Sequence, residues 1–396
     1  MDFFSKTFRG DKVIWAIFAF FCIISLLEIF SATSTLVYKQ ENQWAPILRH
    51  ATFLLIGLGG IMFLQRVPTR WFQVLILLLV VSWLLLVCTM LMGKEINGSQ
   101  RWLGVGAFSI QPSELSKISA VGFMAFLLSR LNKENEDKIF KIIIIAIGFT
   151  CFLIVFDNLS TAILLFTVCY LMMFIGQIQW KKLLSVFFVI SLFAALFIGG
   201  LRSADKDWVR NNLPDRAETW KGRIDRFFDG TKDELYSPAY IADNYQVVHG
   251  KMAIANGGLI GLPGSGVERD FLPQAYSDFI FAIILEEMGL AGGIVVLFLY
   301  IALMFRVGIL ARKCDKLFPK YLLLGTGLML TIQALINMAV AVNLIPVTGQ
   351  PLPLISRGGT STIITCVYFG IILACSNIKE EEHEDADESI ANVEYE

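Results

Sequence analysis

Uninterrupted apolar runs of about eighteen or more residues recur along this chain, and a helix that is apolar on every face is at home only in a bilayer. Composition agrees: of 396 residues 56% are hydrophobic and 17% charged, against about 45–50% and about 25% in soluble domains. Soluble, disordered, collagenous and disulfide-scaffold classes are thereby excluded. At about twenty residues per span, helices are expected near 13–33, 47–65, 71–93, 112–131, 140–156, 158–176, 182–201, 277–310, 320–345 and 359–377, ten in all. The first run exceeds the apolar core of a signal peptide and a second span follows it closely, so it reads as uncleaved. The expected fold class is an all-α polytopic membrane protein with one large loop, residues 202–277, between helices 7 and 8.

Lys and Arg give the sidedness. Lys6, Arg9 and Lys12 precede the first span, Arg66 and Arg70 follow the second, Arg130, Lys133, Lys138 and Lys141 the fourth, Lys181 and Lys182 the sixth, and Arg306, Arg312, Lys313, Lys316 and Lys320 the eighth. The opposite short loops hold Lys39, Arg49, Lys94, Arg101 and Arg357. The positive-inside rule then places both termini in the cytoplasm. The organisation expected is a cytoplasmic N-terminus at 1–12, a membrane domain at 13–378 and an acidic tail at 379–396, too poor in apolar residues to fold. Within the large outer loop, RAETWKGRIDRFF (216–228) sets Trp220, Ile224 and Phe227 at helical spacing, a helix lying in the interface or a solvated one.

Several chemistries find no support. There is no GxGxxG before a helix, no GxxxxGK[ST] and no GxSxG, so nucleotide-driven work by this chain is not expected. The seven cysteines form no CxxC, and His50, His249 and His383 are the only histidines, which leaves little from which to build zinc or haem ligation. A net charge of −1 gives no argument for nucleic acid. His249 reads most simply as an exposed loop residue, and Glu28 as an interfacial acid near the end of its span.

Polar residues gather in four stretches. In NGSQRWLGVGAFSIQPSELSK (97–117), Asn97-Gly98 marks a turn and Pro112 suits a first helical turn. Glu114 and Lys117 share a helix face and form either a self-neutralised pair or, with Arg101, a cationic clamp for a lipid diphosphate. YQVVHGKMAIANGGLIGLPGSG (245–266) is rich in glycine. In DFLPQAYSDFIFAIILEE (270–287), Asp278 opens a long apolar helix, as an N-cap or as a functional acid. Glu286 and Glu287 lie about two turns deeper, where they must pair with a cation or stay protonated. Finally NLIPVTGQPLPLISRGGTS (343–361) breaks a helix and offers a cation, hydroxyls and free amides; such backbone at membrane depth lines protein or a cavity.

On these blocks the chain resembles the FtsW/RodA, or SEDS, family of polytopic membrane proteins, from about Asp11 to Ser376. LPLIS and the opening GDKVIWAIF are more similar to its division branch, FtsW, than to its elongation branch, RodA. The resemblance implies a peptidoglycan glycosyltransferase that polymerises lipid II, the undecaprenyl-diphosphate-linked disaccharide-peptide, on the outer face of the bacterial cytoplasmic membrane at the division site. It implies Asp278 as the catalytic carboxylate, Asp270 as a second acid, and Arg101, Lys117, Gln111, Glu114, Ser356 and Arg357 on the substrate side. No resident cofactor is implied; a divalent cation, magnesium or manganese, bridging acid and diphosphate is left open. The implied partners are a class B penicillin-binding transpeptidase and other divisome proteins, with no nucleic acid.

Two departures stand out. Where the family commonly has QPDLGTA, this chain reads Phe156-Asp157-Asn158-Leu159-Ser160-Thr161-Ala162, and the usual SYGGSS is Ser356-Arg357-Gly358-Gly359-Thr360-Ser361, an aromatic exchanged for a cation. The alternatives are a lipid II transporter, an elongation-type polymerase, or a scaffold for a crosslinking enzyme.

Overall fold

The computed structural model describes residues 7–32, 45–92, 94–96, 99–105, 108–213, 215–228, 245–261, 266–268, 271–272 and 276–377. The acidic tail expected at 379–396 and Asp270 lie outside the described residues. The described chain runs α1 (Lys12–Ala32), α2 (Ala45–Leu64), α3 (Val74–Met92), β1 (Lys94–Ile96), β2 (Ser99–Val105), β3 (Phe108–Ile110), α4 (Pro112–Ser129), α5 (Glu136–Val155), α6 (Leu159–Ile175), α7 (Trp180–Ser203), α8 (Lys206–Asn212), α9 (Asp215–Phe228), α10 (Tyr245–Gly257), α11 (Ile280–Arg312), α12 (Leu317–Ala341) and α13 (Gly359–Ser376).

Eight of these helices are long and apolar enough to cross a membrane. Two further helices fall short for physical reasons. Helix α6 has 17 residues, and α4 carries Ser113, Glu114, Ser116, Lys117 and Ser119 buried along its first half. A helix that spends apolar positions on buried polar groups is held by its neighbours, and α4 packs between α3 and α12. Helix α12 is the hub, in contact with α4, α6, α11 and α13. Of its apolar window 72% is buried, against 6% for α7, whose two ends tell the same story with only Leu183 and Leu201 enclosed.

The helical reading needs one addition. Residues 94–96, 99–105 and 108–110 form a three-stranded antiparallel sheet, with Lys94 opposite Trp102 and Ile96 opposite Ser99, then Leu103 opposite Ile110 and Val105 opposite Phe108. Asn-Gly at 97–98 between short runs, expected as a turn, is a hairpin signal.

The described residues of the large connection are mostly helical. Helix α9 covers the stretch flagged by its periodicity and rests Trp220 on Phe197 of α7 at 5.8 Å. Its Lys221, buried and paired with Asp225 at 3.1 Å, donates to the carbonyls of Leu201 at 2.8 Å and Arg202 at 3.3 Å, closing the carboxyl end of α7.

Helix α11 is broken at Gly289, whose φ of 68° and ψ of −173° are accessible at little cost only to glycine. The amides released by that break are taken up by α10's exit, Leu290 N–H to Gly258 O at 3.0 Å and Ala291 N–H to Leu259 O at 3.1 Å. Close approach demands glycine on the other side too, because a Cβ on Gly257 would overlap the Leu285 carbonyl. At the opposite end of α11, Arg306 grips Asp11 through Nε at 2.9 Å and Nη2 at 2.5 Å, while the same carboxylate accepts from the Val13 and Ile14 amides at 3.1 Å. Burial would raise the Asp11 carboxyl, but Arg306 and the two amides hold it below the usual range. Its contribution to stability is therefore present at neutral pH and lost as pH falls through the lowered value.

Glycine at this crossing is a requirement rather than a preference. Gly257→Ala should destabilise the protein by about 1–3 kcal/mol through overpacking, while Gly148→Ala, with nothing within 4 Å of the added carbon, should be neutral or stabilising by about 0.5–1 kcal/mol. Thermal unfolding of both variants in one detergent checks this; equal melting temperatures would refute the packing of α10 on α11.

Candidate active site

Asp278 sits in the turn 276–279 that leads into α11 and is 9% exposed. Three residues from two other elements pin the backbone of this turn. Asn337 of α12, fully buried, donates through one amide group both to the Asp278 carbonyl at 2.9 Å and to the Gln350 carbonyl at 2.8 Å. Ser356 donates to the Ser277 carbonyl at 2.6 Å and accepts from the Leu352 amide at 2.7 Å. The Arg357 amide donates to Tyr276 O at 2.8 Å. A Cβ placed on Gly349 would lie 3.8 Å from Asp278 Oδ2, so the irregular segment 343–358 passes directly beside the carboxylate.

That segment is tied down along its length. Tyr300 OH donates to Pro353 O at 2.5 Å, Gln333 Nε2 to Pro351 O at 3.0 Å, Gln350 Nε2 to Thr161 Oγ1 at 2.9 Å, and Ser25 Oγ to Ile355 O at 3.1 Å. Leu354 holds a positive φ of 67° inside this frame. Asn158 caps α6, its side-chain oxygen accepting from Ser160 at 3.1 Å and Thr161 at 3.4 Å. Asn and Asp cap equally well, so the departure from the family's aspartate leaves Thr161 in position to receive Gln350.

Lys117 is fully enclosed. Its ammonium pairs with Glu114 at 2.8 Å and donates to Gln333 at 2.9 Å, joining the network through Gln333 and Pro351. Of the two readings left open for this pair, the ion pair is the one formed here. Gln111 stands at the N-cap of α4, half-buried, with Nε2 on Ser113 Oγ at 3.1 Å. Arg101 falls in β2, with its side chain outside the described residues, as Asp270 is altogether.

A second polar group lies deeper on α11. Glu286 is held by backbone rather than by a cation, accepting from the Val267 amide at 2.8 Å and the Glu268 amide at 2.9 Å. Glu287 accepts from Ser31. Glu28 is buried, not interfacial, because α1 turns that face toward α11. His249 is likewise half-buried rather than exposed: Tyr245 and Phe271 stack on its ring at 4.1 and 5.7 Å, and Nδ1 meets Glu268 at 2.5 Å.

Among the described residues no group of three or more His, Cys, Asp or Glu side chains could hold a metal ion. The sequence reading did not single out Asn337, Gln333, Gln350 or Thr161. A signal was there: Gln333 and Asn337 lie four apart on one face of an otherwise apolar helix, where polar side chains are expensive.

Comparison with known proteins follows this geometry. The family model for FtsW, RodA and SpoVE, described as cell cycle protein, matches residues 11–381. The probable peptidoglycan glycosyltransferase FtsW of Aliivibrio salmonicida is 32% identical over 93% of this chain and 89% of its own length. Stage V sporulation protein E of Bacillus subtilis is 31% identical over 94% and 98%. A chain from a structure on the coordination of polymerization and crosslinking by a peptidoglycan synthase complex superposes with a TM-score of 0.72, at 25% identity over 92% of this chain and 97% of that one. Thermus thermophilus rod shape determining protein RodA shares the fold, with a TM-score of 0.64 at 23% identity over 92% and 96%. A match that spans all the described helices and the whole pinned turn makes this polytopic membrane protein a member of the FtsW, RodA and SpoVE family.

Proposed function

We propose that this chain is a peptidoglycan glycosyltransferase that polymerises lipid II, in the division branch of its family. The observation that carries the reading is Asp278: a nearly buried carboxylate on a turn fixed from α12 and from the 343–358 segment, in a chain about 30% identical to proteins named for this activity. Asp278 accepts the proton of the GlcNAc 4-hydroxyl as that oxygen bonds to the anomeric carbon of MurNAc. The bond from that carbon to the diphosphate breaks, and undecaprenyl diphosphate leaves with the electron pair. An α-linked donor becomes a β-linked glycan, so base and leaving group face opposite sides of the sugar.

Arg101, Gln111, Asp270, Ser356 and Arg357 are assigned to the substrate on the family resemblance. Lys117, neutralised by Glu114 and spent on Gln333, acts from behind the site, holding α4 to α12 and so supporting the segment beside Asp278. The basic loops support both termini in the cytoplasm, ten spans and the Asp278 end of the bundle facing outward. We assign a class B penicillin-binding transpeptidase as partner, since the glycan made here needs a separate crosslinking activity.

A general base contributes about 10²–10⁴-fold. Asp278→Asn should lower polymer formation by that factor with unfolding temperature unchanged, read as glycan chain length on gels from labelled lipid II and the purified protein with its transpeptidase. Polymer at the wild-type rate would remove Asp278 from the role; no polymer from either protein, with lipid movement across liposomes, would favour a transporter.

Asn337→Leu removes the donor shared by the Asp278 and Gln350 carbonyls. Displacement of a reacting group by about 1 Å costs on the order of 10²-fold, so polymerisation should fall by roughly that much while KM for lipid II changes little. An unchanged kcat would show that the turn is held without Asn337.

A further inference from the structure

At the end of α11 opposite the Asp278 turn, two segments close around the last turn of α13. Cys314, in the connection between α11 and α12, turns its thiol to the Cys375 carbonyl at 3.8 Å. Asp11 donates its amide to Ser376 Oγ at 3.0 Å, and a Cβ on Gly10 would stand 2.9 Å from both that hydroxyl and the Leu373 carbonyl. The segment leading into α1 and the α11–α12 connection therefore border the point where the chain leaves α13 at Asn377.

Both borders are cationic. Lys12, Arg312, Lys313 and Lys316 are exposed and Lys320 is half-buried, while Asp315 is the single acid within 312–320. Burial, and after it Asp315, raise the Cys314 thiol while Lys320 works against them, which sets Lys320 near the same contact. Asp11 brings no compensation, because Arg306 takes both of its carboxylate oxygens. Lys12, Arg312, Lys313 and Lys320 pair with no carboxylate among the described residues. Exposed cations occur elsewhere, Arg66 and Lys141 among them; what sets this face apart is its place at the exit of α13.

The chain that leaves there has the opposite sign. Seven of the nine residues 380–388 are Asp or Glu. Glu380 is three residues past Asn377, so even a fully extended chain keeps it within about 11 Å of the helix end. That is close to the Debye length of about 8 Å at physiological salt, and a tether so short gives the partners an effective concentration on the order of millimolar. A leaflet that carries anionic lipid repels the same acids. The nearest favourable surface for them is the protein's own.

We propose that the acidic segment 380–388 docks within its own chain on the cationic face made by Lys12, Arg312, Lys313, Lys316 and Lys320. The contact is electrostatic and is independent of the glycosyltransferase reading. It relieves the repulsion among like charges gathered at the ends of α11 and α12. It also closes that face to anionic lipid headgroups, which exposed Lys and Arg beside a membrane otherwise attract.

The test is zero-length carbodiimide crosslinking of lysine amines to carboxylates in the full-length protein, one copy per phosphatidylcholine nanodisc, with the linked peptides identified by mass spectrometry. Lys12, Lys313, Lys316 and Lys320 should link to acids within 380–388 at least about tenfold more than Lys141 does. Salt at about 1 M, where the Debye length falls to about 3 Å, should remove that excess. Arg312→Gln takes away a charge without taking away an amine. One exposed pair is worth roughly 1.5–5-fold, so links to Lys316 and Lys320 should fall by that much with the unfolding temperature unchanged. In nanodiscs of equal parts phosphatidylcholine and phosphatidylglycerol the links should persist, because the tethered acids outcompete free lipid.

Equal linking at Lys141, or an excess that survives high salt, would overturn the proposal. Links lost in the phosphatidylglycerol nanodiscs would give the face to lipid headgroups instead of the acidic segment. Yields unmoved by Arg312→Gln would show that these cations do not act as one surface.

Discussion

Inside a bilayer a backbone amide or carbonyl without a partner has no water to fall back on, and this one constraint organises the protein. Several places where a helix stops or breaks within the bundle are met by a donor or acceptor from elsewhere in the chain. The break at Gly289 is met by Gly258 and Leu259, the end of α7 by Lys221, and the irregular run 343–358 by Ser25, Tyr276, Tyr300 and Gln333. The polar residues that looked expensive in an apolar sequence are largely the ones that satisfy these interruptions.

The same bonds fix the site. A loop held by side chains of α1, α11 and α12 cannot drift from the Asp278 turn, because Asn337 holds both with a single amide group. Positioning by buried hydrogen bonds costs no reorganisation when a substrate arrives, which is the form of preorganisation expected where charge develops during reaction. The glycine-rich 257–261 stretch belongs to this scaffolding too. Its glycines admit backbone against backbone at α11, close enough to Glu286 and Glu287 that the loop 266–268 settles on the Glu286 carboxylate.

How much of this was legible in the sequence follows from range. Apolar runs are local, so the helices lie where hydropathy put them, and the capping role of Asn158 and the proline opening α4 follow from neighbours a few residues away. The strands within 94–110 are two short ones of three residues on either side of one of seven, too short for a hydropathy pattern, and only their pairing defines them. Glu28 and His249 were misplaced because burial depends on which faces of distant helices meet: Glu28 on the contact of α1 with α11, His249 on Glu268 and Phe271. The Asn337 bridge joins residues 59 and 13 positions away, beyond the reach of any local pattern.

Charge bookkeeping then reorders the cations of the sequence reading. Lys117 was attractive because an intramembrane ammonium is costly and so marks function. Its pairing with Glu114 at 2.8 Å offsets that cost. Arg357, in the 343–361 stretch and a departure from the family's aromatic residue, lies over the Tyr276 ring beside the acid's own turn and meets no carboxylate among the described residues. A polyvalent anion leaving from a low-dielectric site needs countercharge that is not already spent.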